Sequence, residues 1–236
     1  MIQQRNMILS NENVFVVIPA YNEAQVLGKV LDDLLSYPYQ IVVVDDGSQD
    51  NTFEIASQYQ IHCLQHKCNL GQGAALQTGI SYVLKNPDAE IIVTFDADGQ
   101  HDSKEITKLI TPILVDDFDV VLGSRFLEKD LVKYMPTLKY ITLKLAVIFT
   151  RLTTYIKVTD THNGFRAFSR IGAQEISITQ NGMSHASQIL KQIQNENLRY
   201  CEVPVTITYT DYSIKKGQAV NNAINILWDS FWSGFN

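Results

Sequence analysis

An α/β domain, with a mostly parallel central sheet flanked by helices on both faces, is the fold this sequence predicts, and three observations predict it. Short apolar runs alternate with segments of helical spacing from residue 14 to residue 122. The runs are continuously apolar, the pattern of strands buried on both faces. Polar and acidic clusters follow the first, second and fourth runs, where open parallel sheets bind ligands beyond the carboxyl ends of their strands. At 236 residues, with 45% hydrophobic and 19% charged side chains, the chain can build its core without a disulfide or metal staple.

The elements follow in order. Residues 14–18 form an apolar run that stops at Pro19, read as a buried strand. Residues 23–35 place Val26, Val30, Leu31, Leu34 and Leu35 at helical spacing. A second strand, 41–44, ends in the turn sequence Asp45-Asp46-Gly47-Ser48. A helix at 52–59, a strand at 61–64, a helix at 73–84, a strand at 91–95, a helix at 103–114 and a strand at 120–122 complete a Rossmann-like alternation. The second half predicts a long basic-apolar helix at 136–157, a strand at 165–168, a helix at 186–195, an alternating strand at 200–209 and a final helix at 217–235. No linker, repeat or low-complexity tract interrupts the chain. One domain over 1–236 is expected, with a nucleotide-binding half of 12–125 and an acceptor half of 126–236.

Net charge and cysteine usage exclude some classes. A formal charge of −6 argues against a nucleic-acid binder, which presents basic stripes. Cys63, Cys68 and Cys201 are few and odd in number, and the first residues lack the apolar core of a signal peptide, so a cytoplasmic setting is expected. Residues 138–158 come nearest to a membrane span, but Lys139, Lys144, Arg151 and Lys157 interrupt them.

FDADGQHD, residues 95–102, carries the strongest chemical signal. Carboxylates at Asp96 and Asp98, just past a buried strand, can reach one divalent ion from an extended turn, and hard oxygen donors suit Mg²⁺ or Mn²⁺. Such an ion neutralises a diphosphate as it departs. A plain acidic turn with Asp102 or Ser103 capping the next helix is the bland alternative. In VVVDDGSQDNT (42–52), Asp46 is a candidate for base or ribose contacts, while Asp50 or Asn51 caps a helix. In IPAYNEA (18–24), Pro19 and Ala20 shape a turn, and Glu23 serves either a nucleotide or a first helical turn. NLGQGAALQTG (69–79) puts Gly71 and Gly73 ahead of a helix, as a phosphate-cradling loop would, without matching a dinucleotide or P-loop fingerprint.

Together with GSRF (123–126), these segments resemble glycosyltransferase family 2, inverting enzymes of the GT-A fold, in order and approximate spacing over essentially the whole chain. The resemblance implies that Pro19, Ala20, Tyr21, Glu23, Asp46 and Gly73 serve the nucleotide and its phosphates. It implies that Asp96 and Asp98 meet the metal and diphosphate, with Gln100 beside the ion. DADGQHD, GSRF, NGFRAFSR (163–170) and CEVPVTITY (201–209) are most similar to the polyprenyl-phosphate sugar transferases. A UDP- or GDP-sugar donor, a polyprenyl phosphate acceptor and anion contacts from Arg125 and Arg166 are then expected; a structural salt bridge is the equal alternative for Arg166.

The departures from the pattern are informative. Hydroxyl-glycosylating members carry an acidic pair in the second half, where GMSHASQIL (182–190) has no carboxylate and Gln188 stands at the place of a common glutamate. A lipid phosphate arrives ionised and needs no base, so a phosphate acceptor is favoured, with His185 left as a candidate base. Lys215 and Lys216, in YTDYSIKKGQ (209–218), are placed to offset phosphate charge or to sit in a solvated loop. HCLQHKC (62–68) is not a standard zinc spacing. The helix at 136–157 and the aromatic terminus Trp228, Phe231, Trp232 and Phe235 fit peripheral contact with the inner face of a membrane, or packing on the core or another subunit. The rivals are transfer to a hydroxyl of a cell-surface glycan and, from another class, a non-catalytic nucleotide-sugar-binding or scaffold protein; detectable slow donor hydrolysis would exclude the latter.

Overall fold

Each apolar run folds as a strand whose successive side chains enter opposite layers. In the computed structural model, which describes residues 13–128, 137–182 and 184–208, β1 (Val14–Ala20) is buried throughout. Val14, Val16 and Ile18 enter one core cluster, and Phe15 and Val17 enter the other. A strand covered on both faces has no solvated side to fill with polar residues, hence its unbroken apolar pattern.

Among the described residues β2 (Gln40–Asp45), β3 (His62–Gln65), β4 (Ile91–Thr94), β5 (Val120–Ser124), β6 (Arg166–Ser169) and β7 (Tyr200–Pro204) complete a seven-stranded sheet of order β3-β2-β1-β4-β6-β5-β7. Four of the pairings are parallel, whereas β6 runs antiparallel to both β4 and β5. In chain order the helices are α1 (Leu27–Leu34), α2 (Thr52–Ala56), α3 (Gln72–Val83), α4 (Ile106–Asp116), α5 (Thr137–Thr154), α6 (Arg170–Glu175) and α7 (His185–Asn195). α1 and α4 cover one face through Leu27, Leu31, Leu34, Ile106 and Leu109. α3 and α7 cover the other through Leu76, Ile80, Val83, Ile189 and Ile193. The mostly parallel α/β architecture with helices on both faces, the GT-A arrangement, is thus present. None of the described helices is long and apolar enough to cross a membrane.

Several boundaries differ from the sequence expectation for physical reasons. β1 does not stop at Pro19 but continues to Ala20 beside β2. β4 pairs with β1 only as far as Val17, so the missing N–H of Pro19 falls past the end of that ladder. The first helix begins at Leu27 rather than residue 23, because residues 23–26 form a turn in which the Glu23 carbonyl accepts from Val26 and Leu27. The late strand ends at Pro204, and α6 was not foreseen. The helix expected at 217–235 lies outside the described residues.

The strand order reverses direction between β1 and β4: β2 and β3 lie to one side, β4 and the later strands to the other. A crevice opens at the carboxyl ends of strands that flank such a switch. The FDADGQHD turn and the chain after Ala20 both leave the sheet there.

Candidate active site

Asp96 follows β4 and is held by two neighbours. Its Oδ1 accepts from Gln72 Nε2 at 3.0 Å, and its Oδ2 lies 3.0 Å from His101 Nε2. Gly164 leaves room for the carboxylate, since a Cβ there would come within 2.6 Å of Asp96 Oδ2. The His101 side chain is only 3% exposed, and its ring packs against Phe95 and Phe165 with centroids 5.3 and 4.7 Å away. Burial pushes the Asp96 carboxyl upward, but the His101 hydrogen bond and the nearby His101, His185 and Arg166 groups outweigh it, and its pKa falls below the ordinary value.

Asp98 goes the other way, pushed up to about 6 by burial first and by the charge of Asp96 next, with Glu23 adding to the repulsion. The Gln100 N–H, 3.0 Å from Asp98 Oδ1, opposes the rise only in part. An under-compensated carboxylate at Asp98 beside a readily ionised one at Asp96 is a donor set for a hard cation. Among the described residues no three His, Cys, Asp or Glu side chains converge into a closed metal cage. Mg²⁺ commonly takes one or two protein carboxylates and completes its shell with substrate phosphates and water, so Asp96 and Asp98 fit such an ion.

On the other side of the crevice, Pro19 and Ala20 end β1, and Ala20 accepts from the Asp46 N–H at 2.8 Å. Tyr21 stands at the rim, 36% exposed. Glu23 is buried, with its backbone N–H donating to Thr52 Oγ1 at 2.8 Å. Asp50 accepts from the N–H groups of Thr52 and Ala24, so it braces both the start of α2 and the turn after β1. The Asn51 side chain makes no cap bond. At the other acidic turn, Asp102 is the N-cap, accepting from Lys104.

The glycine loop does cradle an anion, and that anion is internal. The N–H groups of Leu70 and Gly71 donate to Asp46 at 2.9 and 2.7 Å. His66 Nδ1 lies 2.7 Å from the same carboxylate, while its Nε2 meets Thr78 Oγ1 at 2.9 Å. Gly73 gives its N–H to the Asn181 carbonyl at 2.8 Å. A Cβ on Gly73 would lie 2.1 Å from the Gln180 carbonyl oxygen, and Gly71 sits at φ +101° against Asn181. The phosphate cradle expected here therefore has another occupant on each amide named. The close approach that calls for glycine is made by residues 180–181.

The second half brings in the arginines. Arg125 Nε donates to Asp160 Oδ2 at 2.6 Å in a pair whose side chains are 7% and 0% exposed. Glu202 accepts from the N–H groups of Thr159 and Asp160 at 2.8 and 3.2 Å, which fixes the turn that carries Asp160. Arg166 is buried and donates to the carbonyls of Asn163 and Thr161 at 3.0 and 3.3 Å; burial lowers its pKa to about 10. Its partners in the structure are these carbonyls rather than a carboxylate salt bridge. His185 Nδ1 lies 2.8 Å from the Gly182 carbonyl, and burial first, then Arg166, lowers its pKa to about 4. Lys215 and Lys216 lie outside the described residues.

Gln72, His101 and Asp160 escaped the sequence reading as site residues. Gln72 and His101 lay within quoted motifs, yet their target is Asp96, which only the fold brings to them. Within NGFRAFSR, Arg170 is structural: it donates to the carbonyls of Leu84, Asn86 and Ala89, just past the end of α3. In HCLQHKC, His62 turns to Tyr82 and His66 to Asp46, while Cys68 is exposed.

Residues 15–177 match the family model described as Glycosyl transferase family 2. The UDP-N-acetylglucosamine–dolichyl-phosphate N-acetylglucosaminyltransferase of Methanococcus voltae is 32% identical over 93% of this chain and 95% of its own length. The polyprenol monophosphomannose synthase of Mycolicibacterium smegmatis is 26% identical over 89% of this chain and 83% of its own. Among solved structures, glucosyl-3-phosphoglycerate synthase from Mycobacterium tuberculosis, in complex with Mn²⁺, UDP-glucose and phosphoglyceric acid, superposes with a TM-score of 0.68. It is 16% identical, covering 98% of this chain and 83% of that one, a likeness of fold.

Proposed function

Because the chain belongs to glycosyl transferase family 2, and is therefore a glycosyltransferase, we propose that it moves a sugar from a UDP- or GDP-sugar to a polyprenyl phosphate, inverting the anomeric carbon and depending on Mg²⁺ or Mn²⁺. The observation that carries the reading is the Asp96–Asp98 corner at the switch between β1 and β4, where burial first and then repulsion push Asp98 up to about 6. That excess negative charge favours a cation, and a nucleoside diphosphate brings the oxygens that complete its shell. A bound ion would be held by Asp96 and Asp98, with Gln100 beside it, and would supply charge neutralisation for the diphosphate.

Glu23, whose charge helps raise the pKa of Asp98, and the exposed Tyr21 would serve the nucleotide, and Asp46 would act through the loop it anchors. A non-bridging oxygen of the acceptor phosphate attacks the anomeric carbon opposite the leaving group. The new C–O bond forms as the bond to the diphosphate breaks, and its electron pair leaves with the nucleoside diphosphate. No proton moves. This suits His185, whose pKa of about 4 makes it too weakly basic at neutral pH to deprotonate a sugar hydroxyl. Arg166 would supply positive charge on the acceptor side, where an ionised phosphate arrives, whereas the charge of Arg125 is already balanced by Asp160. A lipid acceptor brings this work to the cytoplasmic face of a membrane, and both curated relatives named above act, by their names, on dolichyl or polyprenol substrates.

The test is a product assay by mass spectrometry, with a panel of UDP- and GDP-sugars, Mn²⁺ and either polyprenyl phosphate or free glycans. A glycosyl phosphoryl lipid of inverted configuration is the expected product. Transfer only to a glycan hydroxyl overturns the acceptor, and failure to turn over any sugar nucleotide overturns the whole reading.

A further inference from the structure

Among the described residues, helix α5 is packed on one side only. Ala146, Val147 and Thr150 are buried, and the helix rests against α7. Ile141, Leu145, Ile148 and Leu152 fall within about 60° of arc on the opposite side at 100° per residue. Their exposures are 49, 54, 54 and 70%, and Tyr155, 81% exposed, continues the row past the helix end. Single exposed apolar residues are ordinary, but a contiguous row of large ones marks a surface that meets a partner.

Charge says which partner. Residues 131–159 contain Lys133, Lys139, Lys144, Arg151 and Lys157 and no Asp or Glu, in a chain whose net charge is −6. Arg151 and Lys157 are exposed, and Lys144 lies over the Phe126 ring beside the row. The row from Ile141 to Leu152 is about 17 Å long and one helix wide, well short of the about 800 Å² per partner of a stable protein interface. A bilayer accepts such a helix lying in its plane, with apolar side chains in the acyl boundary and basic ones among anionic headgroups. Tyrosine at the end of the row suits the same interface.

We propose that α5 is a docking surface for an anionic lipid bilayer, with Ile141, Leu145, Ile148 and Leu152 entering the membrane boundary. This deepens the lipid-acceptor reading and rests on it for its purpose, while its evidence is the helix itself.

The experiment sediments the full chain with vesicles of phosphatidylcholine alone and of phosphatidylcholine with phosphatidylglycerol, neither containing polyprenyl phosphate. The wild type should partition onto the anionic vesicles and come off as salt rises. The double variant Ile148→Glu, Leu152→Glu should bind them at least about tenfold more weakly, with unchanged thermal melting and unchanged UDP binding. No binding by the wild type overturns the proposal. Equal binding by the variant overturns it too, moving the contact to another part of the chain such as residues 217–235. A wild-type oligomer that the double variant dissolves assigns the row to a second copy instead. Sugar transfer to a detergent-dispersed acceptor is measured separately, so a failed docking test leaves the proposed reaction standing.

Discussion

Asp98 lies against two other carboxylates, Asp96 and Glu23, and burial removes the water that would screen them. Its raised pKa is a statement about stability. Between its ordinary 3.8 and about 6, the folded chain retains a proton that the unfolded chain has released, so this residue's contribution to stability falls as pH rises through that window. Above it the ionised carboxylate opposes folding. Without divalent ions, Asp98→Asn should therefore be more stable than wild type at neutral pH, by about 1 kcal/mol after allowance for partial exposure. The gain should shrink as pH drops through the window. The same variant should lose at least about 100-fold in sugar transfer, because a neutral amide cannot balance the cation. Urea melts at two pH values with EDTA, together with the transfer assay, check both halves; a destabilised variant contradicts the charge argument. The pair was legible in the sequence because hard donors at i and i+2 after a strand need no tertiary information. The fate of Asp46 was not, since its donors Leu70 and Gly71 belong to a loop that only folding delivers. Likewise Arg125 reads as an anion contact until the turn at Asp160 comes to meet it.

At the scale of the element, α3 shows how closely the site depends on helix placement. It carries Gln72 to Asp96 and Thr78 to His66, and it lies directly on β1 at Gly79. A Cβ on Gly79 would come within 2.3 Å of Val17 Cγ1 and 3.2 Å of Val44 Cγ2. Valine is stiff at χ1, and Val17 is fully buried, so the helix rather than the side chain must give. Gly79→Ala gains about 1 kcal/mol of helix propensity but overpacks by more, giving a net loss of up to about 2 kcal/mol. A lowered urea midpoint and a higher donor KM are expected, the second because a displaced α3 pulls Gln72 off Asp96. An unchanged midpoint contradicts the packing argument. Element identity was largely readable, because buried strands and amphipathic helices write their periods locally. Partnership was not. Residues 165–168 read as a strand, yet nothing in them announces that β6 lies antiparallel between two strands of the first half.

That placement decides how the whole molecule holds together. β6 comes from the second half of the sequence and lies between β4 and β5 of the first half. Phe165 enters one core cluster and Phe168 the other, so both layers of the first half depend on residues from the second. β7 then borders β5, and Thr206 gives its N–H to Glu105 at 2.7 Å, just before α4. A cut between the halves would leave the inner edges of β4 and β5 without their common partner, and unpaired strand edges and open apolar slots make a chain aggregate. A fragment of residues 1–126 should therefore fail to fold by itself, although the nucleotide motifs through GSRF lie within it. The intact chain should unfold in one cooperative urea transition, with near- and far-ultraviolet circular dichroism tracing the same curve. The fragment should show no cooperative transition and no UDP-dependent rise in melting temperature. A fragment that melts cooperatively and is stabilised by UDP would instead make the first half a nucleotide-binding unit of its own, with β6 a later addition to a sheet already stable without it.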